Sequence, residues 1–293
     1  GVALGARASI TLYDHDATRA RALLDRAVAE IARLEAVFSL FRAESALSRL
    51  NAAGRLDDPP LDLVRLLDEA RYYAHLTHGA FDPTVAPLWR LYADHFARAG
   101  ADPAGPDAAR VAAARALVDY RALSVTPRRI VLHRRGAAVT LNGIAQGHIT
   151  DRVAELLRAA GLRHVLLDLG EVRALGTHPA GRPWRVGIAD PANRARTLAM
   201  VDLDDRALAT SAGAGQTFDA AGRFHHLFDP RTGRSTDRYV AVSVLAATAT
   251  RADALSTAFS CLDETTIQRI CRHLGRTTAV IAGRDGRVIR LGA

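Results

Sequence analysis

Apolar positions along the chain shift between two spacings, and the shifts mark out its elements. Residues 7–13 alternate apolar and polar, as a half-buried strand does. Thr18 then heads and caps a long stretch in which Leu23, Leu24, Ala27, Ile31, Leu34 and Phe38 recur at helical spacing, which predicts a helix with one apolar face. Residues 41–51 carry a second short helix ended by Gly54, and residues 61–75 a third, starting after Pro59-Pro60. Gly79-Ala80-Phe81-Asp82-Pro83 breaks that helix, residues 101–106 form a polar loop, and a helix follows near 108–119.

The second half is richer in strand signals. Residues 130–132 and 139–141 are strand-like and separated by an Arg-Arg-Gly turn. A turn bearing Gly143 and Gly147 leads into a helix over 150–160, and Gly161 stands where a helix C-terminal glycine belongs. Strands are predicted over 165–169, 184–188, 198–203, 207–210 and 240–246. Helices are predicted over 252–262 and 266–274, with a closing hairpin of 278–281 and 288–291. The expected fold is therefore mixed α/β (α+β), with at least six strands and no internal repeat. No linker rich in Pro, Gly and Ser interrupts it, so residues 1–293 are expected to form one domain.

Composition narrows the function classes. Apolar residues make up 49% of the chain, enough for a large core, yet no run approaches the roughly 18 needed to cross a membrane. The formal charge of +8 invites a nucleic-acid reading, but every Lys-or-Arg position is Arg, and these are scattered among Asp and Glu without a basic block. That pattern describes a solvated mixed surface rather than a phosphate-binding face. Cys261 and Cys271, ten residues apart, match neither zinc nor redox spacing and are expected to be buried thiols. The chain begins with Gly and shows no charged-then-apolar leader, which is compatible with a removed export segment.

Three segments carry chemistry. In Leu141-Asn142-Gly143-Ile144-Ala145-Gln146-Gly147 the glycines let the backbone approach a ligand, and the following helix points its positive end there, as a pyrophosphate seat requires. The alternative is an ordinary turn. His225-His226-Leu227-Phe228-Asp229-Pro230-Arg231-Thr232-Gly233 places a possible base and a guanidinium in one loop. Equally, it describes a hairpin in which Asp229 caps the turn. In Asp253-Ala254-Leu255-Ser256-Thr257 helical spacing brings three oxygens to one side, a hard donor set suited to magnesium shared with a phosphate. The alternative makes Asp253 a helix cap, with the hydroxyls bonded back to the preceding turn.

In this order and at these intervals the three segments resemble the FAD:protein FMN transferase (ApbE) family from about residue 4 to the end. Further matches are Ser45-Ala46-Leu47-Ser48-Arg49-Leu50-Asn51, Gly79-Ala80-Phe81-Asp82 with Thr84, Pro183-Trp184-Arg185-Val186-Gly187-Ile188, and Leu208-Ala209-Thr210-Ser211. The first segment's form is similar to the NosX type associated with nitrous oxide reduction. The resemblance implies magnesium-dependent transfer of FMN from FAD to a Thr or Ser hydroxyl of a target flavoprotein, with release of AMP. It implies that Leu4, Phe41, Ala80, Phe81 and Asp82 line the FAD site, and that Thr140, Gln146 and Phe228 contact the flavin nucleotide. It also implies that Gly143 (through its carbonyl), Asp253, Ser256 and Thr257 hold Mg2+, and that His226 assists proton removal, with Asp253 also counted as catalytic. By the same resemblance the protein is periplasmic, and its target is a membrane-bound flavoprotein of nitrous oxide respiration. The chain departs from the commoner family pattern at Thr140, Asn142, Gln146 and Ser256, each less charged than the family's usual residue, which implies altered affinity for FAD or metal. An FAD hydrolase yielding FMN and AMP, and an FAD-binding protein without turnover, are the competing readings.

Overall fold

The computed structural model describes residues 2–3, 6–193 and 195–292, and a seven-stranded sheet runs through its middle. Its strands are β1 (Ser9–Leu12), β2 (Val165–Asp168), β3 (Val172–Leu175), β4 (Ala207–Ala212), β5 (Tyr239–Ala246), β6 (Thr278–Gly283) and β7 (Val288–Gly292). They lie side by side in chain order, each antiparallel to the next. Both faces are covered, and side chains alternate between them with the period of two that a pleated strand imposes. Ala207 and Ala209 of β4 and Val242 and Val244 of β5 join the main core. Leu208 and Leu245 join a second cluster under the two-stranded hairpin formed by Trp184–Ala189 and Thr197–Leu203.

Eight α-helices appear among the described residues: α1 (Ala17–Phe38), α2 (Ala46–Ala53), α3 (Leu61–Leu76), α4 (Ala86–Phe96), α5 (Ala108–Arg115), α6 (Ala145–Ala159), α7 (Ala249–Phe259) and α8 (Glu264–Leu274). Helix α7 lies across β4 and β5 and packs on α6, which in turn packs on α1 and β3. The architecture is mixed α/β, as the sequence pattern predicts. No helix of the described residues is long and apolar enough to cross a membrane. Both cysteines are buried free thiols, as expected.

Several elements differ from expectation, each for a local reason. Helix α1 buries Leu23, Ala27, Ile31, Leu34 and Phe38, but its cap is Asp16 rather than Thr18. The Asp16 carboxylate accepts from the Thr18 and Arg19 amides, shortening the preceding loop. Helix α4 was not expected. It carries Pro in its first turn, where a missing amide donor costs nothing. Residues 139–141 form no strand. The Asn51 side chain donates to the Val139 carbonyl at 2.8 Å and accepts from its amide at 2.7 Å, and the Thr140 amide donates to the Pro83 carbonyl. Backbone groups satisfied in this way need no sheet partner. Helix α6 begins at Ala145, so Gly147 lies inside its first turn instead of before it. The short strand β3 also went unread, because Glu171 and Arg173 interrupt its apolar pattern.

Candidate active site at the head of helix 6

The site is built where the first turn of α6 meets α7 and the end of β4. Gly147 is what lets the helices approach. A Cβ there would sit 2.3 Å from the Ala249 carbonyl oxygen, far inside contact distance. Its amide donates to Asp253 Oδ2 of α7 at 3.0 Å. This diverts it from the Gly143 carbonyl four residues earlier, which therefore accepts no hydrogen bond among the described residues. Gly143 itself lies against Thr257, since a Cβ added to it would meet Thr257 Oγ1 at 2.9 Å and the Phe81 ring at 3.3 Å.

Asp253 is not a helix cap. Thr248 fills that role by accepting from the Arg251 amide, and Asp253 sits one turn in, 4% exposed. Burial raises its carboxyl well above the usual range, with the Gly147 amide opposing that shift and Asp151 adding to it. Asp253 Oδ1 has no hydrogen-bond partner among the described residues. Ser256 bonds back to the Asp253 carbonyl at 3.0 Å, as the bland reading expected, but its hydroxyl also meets Ser211 Oγ of β4 at 2.7 Å. Ser211 lies 3.4 Å from Thr257 Oγ1 as well. The sheet supplies this third hydroxyl because Ser211 shares the strand face of Ala207 and Ala209, the face that α7 covers.

The donor set is thus one buried carboxylate, a free backbone carbonyl and three hydroxyls. Among the described residues, no three His, Cys, Asp or Glu side chains converge as a metal cage. Oxygen donors with little formal charge suit Mg2+ that shares its shell with water and a phosphate, and would suit zinc poorly. The residues present therefore fit the expected cation. The Gln146 amide, also in the first turn of α6, makes no hydrogen bond among the described residues and is open to an anion. The Gln146 side chain lies over Gly170, whose added Cβ would stand 2.8 Å from Gln146 Nε2.

The histidine pair divides into two roles. His225 Nε2 donates to the Thr236 carbonyl at 2.8 Å, while its Nδ1 accepts from the Leu227 amide at 3.3 Å, so both ring nitrogens are engaged. His226 Nδ1 faces the Gln216 carbonyl at 3.1 Å. A carbonyl only accepts, so the proton resides on Nδ1 and the Nε2 lone pair is left free. Burial holds the His226 pKa below its ordinary value, which keeps that lone pair available. The segment carrying it stands on α4. Phe228 packs its ring 4.9 Å from that of Tyr92, within a cluster that includes Leu88, Phe218 and Phe224. Thr236 Oγ1 then ties the segment to the Ser260 carbonyl beyond α7. The hairpin expectation holds too: Phe228–Asp229 pairs with Arg234–Ser235, and Asp229 accepts from the Arg231 amide in the turn.

The other expected ligand-contacting residues are placed in different ways. Phe41, between α1 and α2, is 90% exposed, its ring free for a ligand. Ala80 and Phe81 are buried, with the Phe81 ring against Gly143. Asp82 directs its carboxylate inward, accepting from the Thr84 amide at 2.8 Å, the Thr84 hydroxyl at 2.6 Å and the Tyr120 amide at 3.0 Å. It organises the loop whose Pro83 carbonyl holds Thr140. The Phe228 ring belongs to the aromatic cluster, and Thr140 is half-buried with its hydroxyl accepting from the Asn142 amide. Leu4 lies outside the described residues. Sequence reasoning assigned no role to Ser211 or to Asn51 and passed over Glu171, a buried carboxylate at the start of β3 whose mark in the sequence is a single acid within a strand-like run.

Comparison with known proteins gives the family and the fold. The ApbE family model matches residues 4–281. The FAD:protein FMN transferase of Treponema pallidum is 32% identical over 277 residues, spanning 87% of this chain and 75% of that protein. That of Klebsiella pneumoniae is 28% identical over 291 residues, spanning 96% and 83%. Among solved structures, the apo form of the Pseudomonas stutzeri flavinyl transferase ApbE is similar at TM-score 0.81 and 27% identity, with 99% of this chain and 91% of that one covered. The ApbE protein of Thermotoga maritima shares the fold at TM-score 0.89 and 24% identity, over 99% and 95% of the two chains.

Proposed function

The chain belongs to the ApbE family and is an FAD:protein FMN transferase, and from that premise we propose a magnesium-dependent reaction in which a Thr or Ser hydroxyl of the target displaces AMP from FAD. The observation that carries the metal assignment is the free Gly143 carbonyl beside the buried Asp253 carboxylate and the hydroxyls of Ser256 and Thr257. Bound there, Mg2+ would neutralise the charge that grows on the departing phosphate.

The chain's own residues do the rest. The open Gln146 amide and the positive end of α6 receive a phosphate oxygen. The exposed Phe41 ring is available to cover an aromatic ring of FAD, and Thr140 and Gln146 flank the pyrophosphate seat. His226 Nε2 accepts the proton of the incoming hydroxyl. A bond then forms from that oxygen to the flavin-side phosphorus, and the bond from phosphorus to the AMP oxygen breaks. The Leu141–Gly147 form of the first motif supports a relative of the nitrous oxide type, and with it a periplasmic location and a membrane-bound flavoprotein target.

Incubation with FAD and Mg2+, with and without a target carrying an acceptor Thr, followed by intact-mass measurement of every protein, tests this reading. A mass gain equal to FMN on the target, absent when the metal is chelated, is expected. FMN and AMP without a labelled protein would make the enzyme a hydrolase, and intact FAD throughout would overturn turnover altogether.

A further inference from the structure

Glu171 is 8% exposed and stands at the turn between β2 and β3, directly after Gly170. That turn lies against the first turn of α6, because Gln146 Nε2 is 2.8 Å from the position of a Cβ on Gly170. The next residue of α6, Gly147, is the one bonded to Asp253. Glu171 and Asp253 therefore flank the same turn from the sheet side and the α7 side.

The charges that act on Glu171 are those of Asp253 and Asp168, both negative. The charge acting on Asp253 is that of Asp151. Asp151 is itself answered, by Arg173 at 3.1 Å and by the amides of Ala249 and Thr250. No Arg or His is paired with either Glu171 or Asp253 among the described residues. The Glu171 carboxylate bonds to no other side chain among the described residues, and the nearby Thr210 amide is what favours its charged form. Buried carboxylates are ordinarily paired with a cationic side chain or face a bound cation. Here the side chain is missing from an otherwise well-packed site.

Building on the metal reading above, we propose that Glu171 is a positioning residue for the cation. Its charge adds to that of Asp253 at the head of α6, so that a divalent ion is held where the lone Asp253 would hold it weakly. The rival role is a structural one, in which Glu171 only satisfies the Thr210 amide. Glu171→Gln separates the two, because its amide oxygen still accepts from Thr210 while the charge is gone.

The test measures Mn2+ binding to the full chain by electron paramagnetic resonance for wild type, Glu171→Gln and Glu171→Asp, alongside melting with and without MgCl2. Glu171→Gln is expected to bind Mn2+ at least about tenfold more weakly, the scale of one unit charge acting on a divalent ion inside a protein. Its metal-free melting temperature should hold or rise, since a buried charge has been removed, and the rise on adding MgCl2 should shrink. Glu171→Asp should recover part of the affinity. Equal Mn2+ affinity in wild type and Glu171→Gln overturns this inference and leaves the metal site standing, and lower metal-free melting with unchanged affinity identifies the structural role instead. Wild type that binds no Mn2+ removes both.

Discussion

At the scale of single residues, the site is decided by which lone pairs remain free. His225 and His226 are neighbours in sequence, yet hydrogen bonds to Thr236 and Leu227 occupy one ring, while the Gln216 carbonyl fixes the other as a base with a free Nε2. His226→Ala is expected to slow FMN transfer by about 10²–10⁴-fold while FAD binding persists. His225→Ala should instead lower the melting temperature, because it leaves the Thr236 carbonyl and the Leu227 amide without their partner. Transfer rate, FAD affinity and melting measured on both variants check the division, and equal rates for His226→Ala and wild type would refute it. Since burial lowers the His226 pKa, the rate should hold as pH falls past the ordinary histidine value and decline only below it. His226 could be picked out from the sequence by its place in a motif. The hydrogen bonds that separate it from His225 could not, since both partners come from loops that periodicity does not resolve.

At the scale of elements, α6 shows what the sequence conveyed and what it hid. Its apolar spacing and its terminal Gly161 were legible, but its start was not, because Gly147 reads as a helix breaker and is in fact a contact point with α7. Gly147→Ala places a methyl group 2.3 Å from the Ala249 carbonyl oxygen, so the helices must part. A loss of at least about 1–3 kcal/mol in urea unfolding is expected, with weaker divalent-ion binding, since the Gly147 amide orients Asp253. Unchanged unfolding would mean that the two helices shift freely. One residue on, His148 is buried edge-on to Phe38 with its Nε2 unpartnered, and burial takes its pKa down to about 4. Asp151 on its own helix, Asp62 on α3 and Glu30 on α1 pull the value up and Arg152 pulls it down, but desolvation outweighs them. The fold favours the neutral ring, so the unfolded chain takes the proton first. Stability is therefore intact above about 6.5 and falls as pH drops toward 4, by about 3 kcal/mol in all. His148→Leu should flatten that part of the stability profile, and an unchanged slope between pH 7 and pH 5 would show that other groups produce it. The missed elements share a cause. Helix α4 carries a Pro in its first turn, and β3 contains Arg173 and follows directly on Glu171, so in each a polar or ring-locked residue breaks the local pattern.

At the scale of the whole molecule, the sheet, α6 and α7 are joined by one buried carboxylate. Asp151 of α6 accepts from the amides of Ala249 and Thr250, which open α7, from the Thr250 hydroxyl at 2.6 Å, and from Arg173 of β3 at 3.1 Å. Arg173 also donates to the Ala247 carbonyl, so the link between β5 and α7 is held from the same point. Many other ion pairs, such as Arg55 with Asp57 and Arg71 with Asp68, lie at the surface, where water and salt screen them and each contributes little. Asp151→Ala is a different matter. It strands the Arg173 charge at 6% exposure and frees three donors at once, so a loss of about 3–5 kcal/mol is expected. Replacing both members, with Asp151→Leu and Arg173→Met, should return part of that loss, because no unpaired charge stays buried. The functional effect should not return with it. The α7 amides that Asp151 fixes lead into the turn carrying Asp253, so the double variant is expected to regain stability in urea while its divalent-ion affinity stays low. If affinity recovers together with stability, hydrophobic packing alone sets the position of α7, and the site does not depend on this joint.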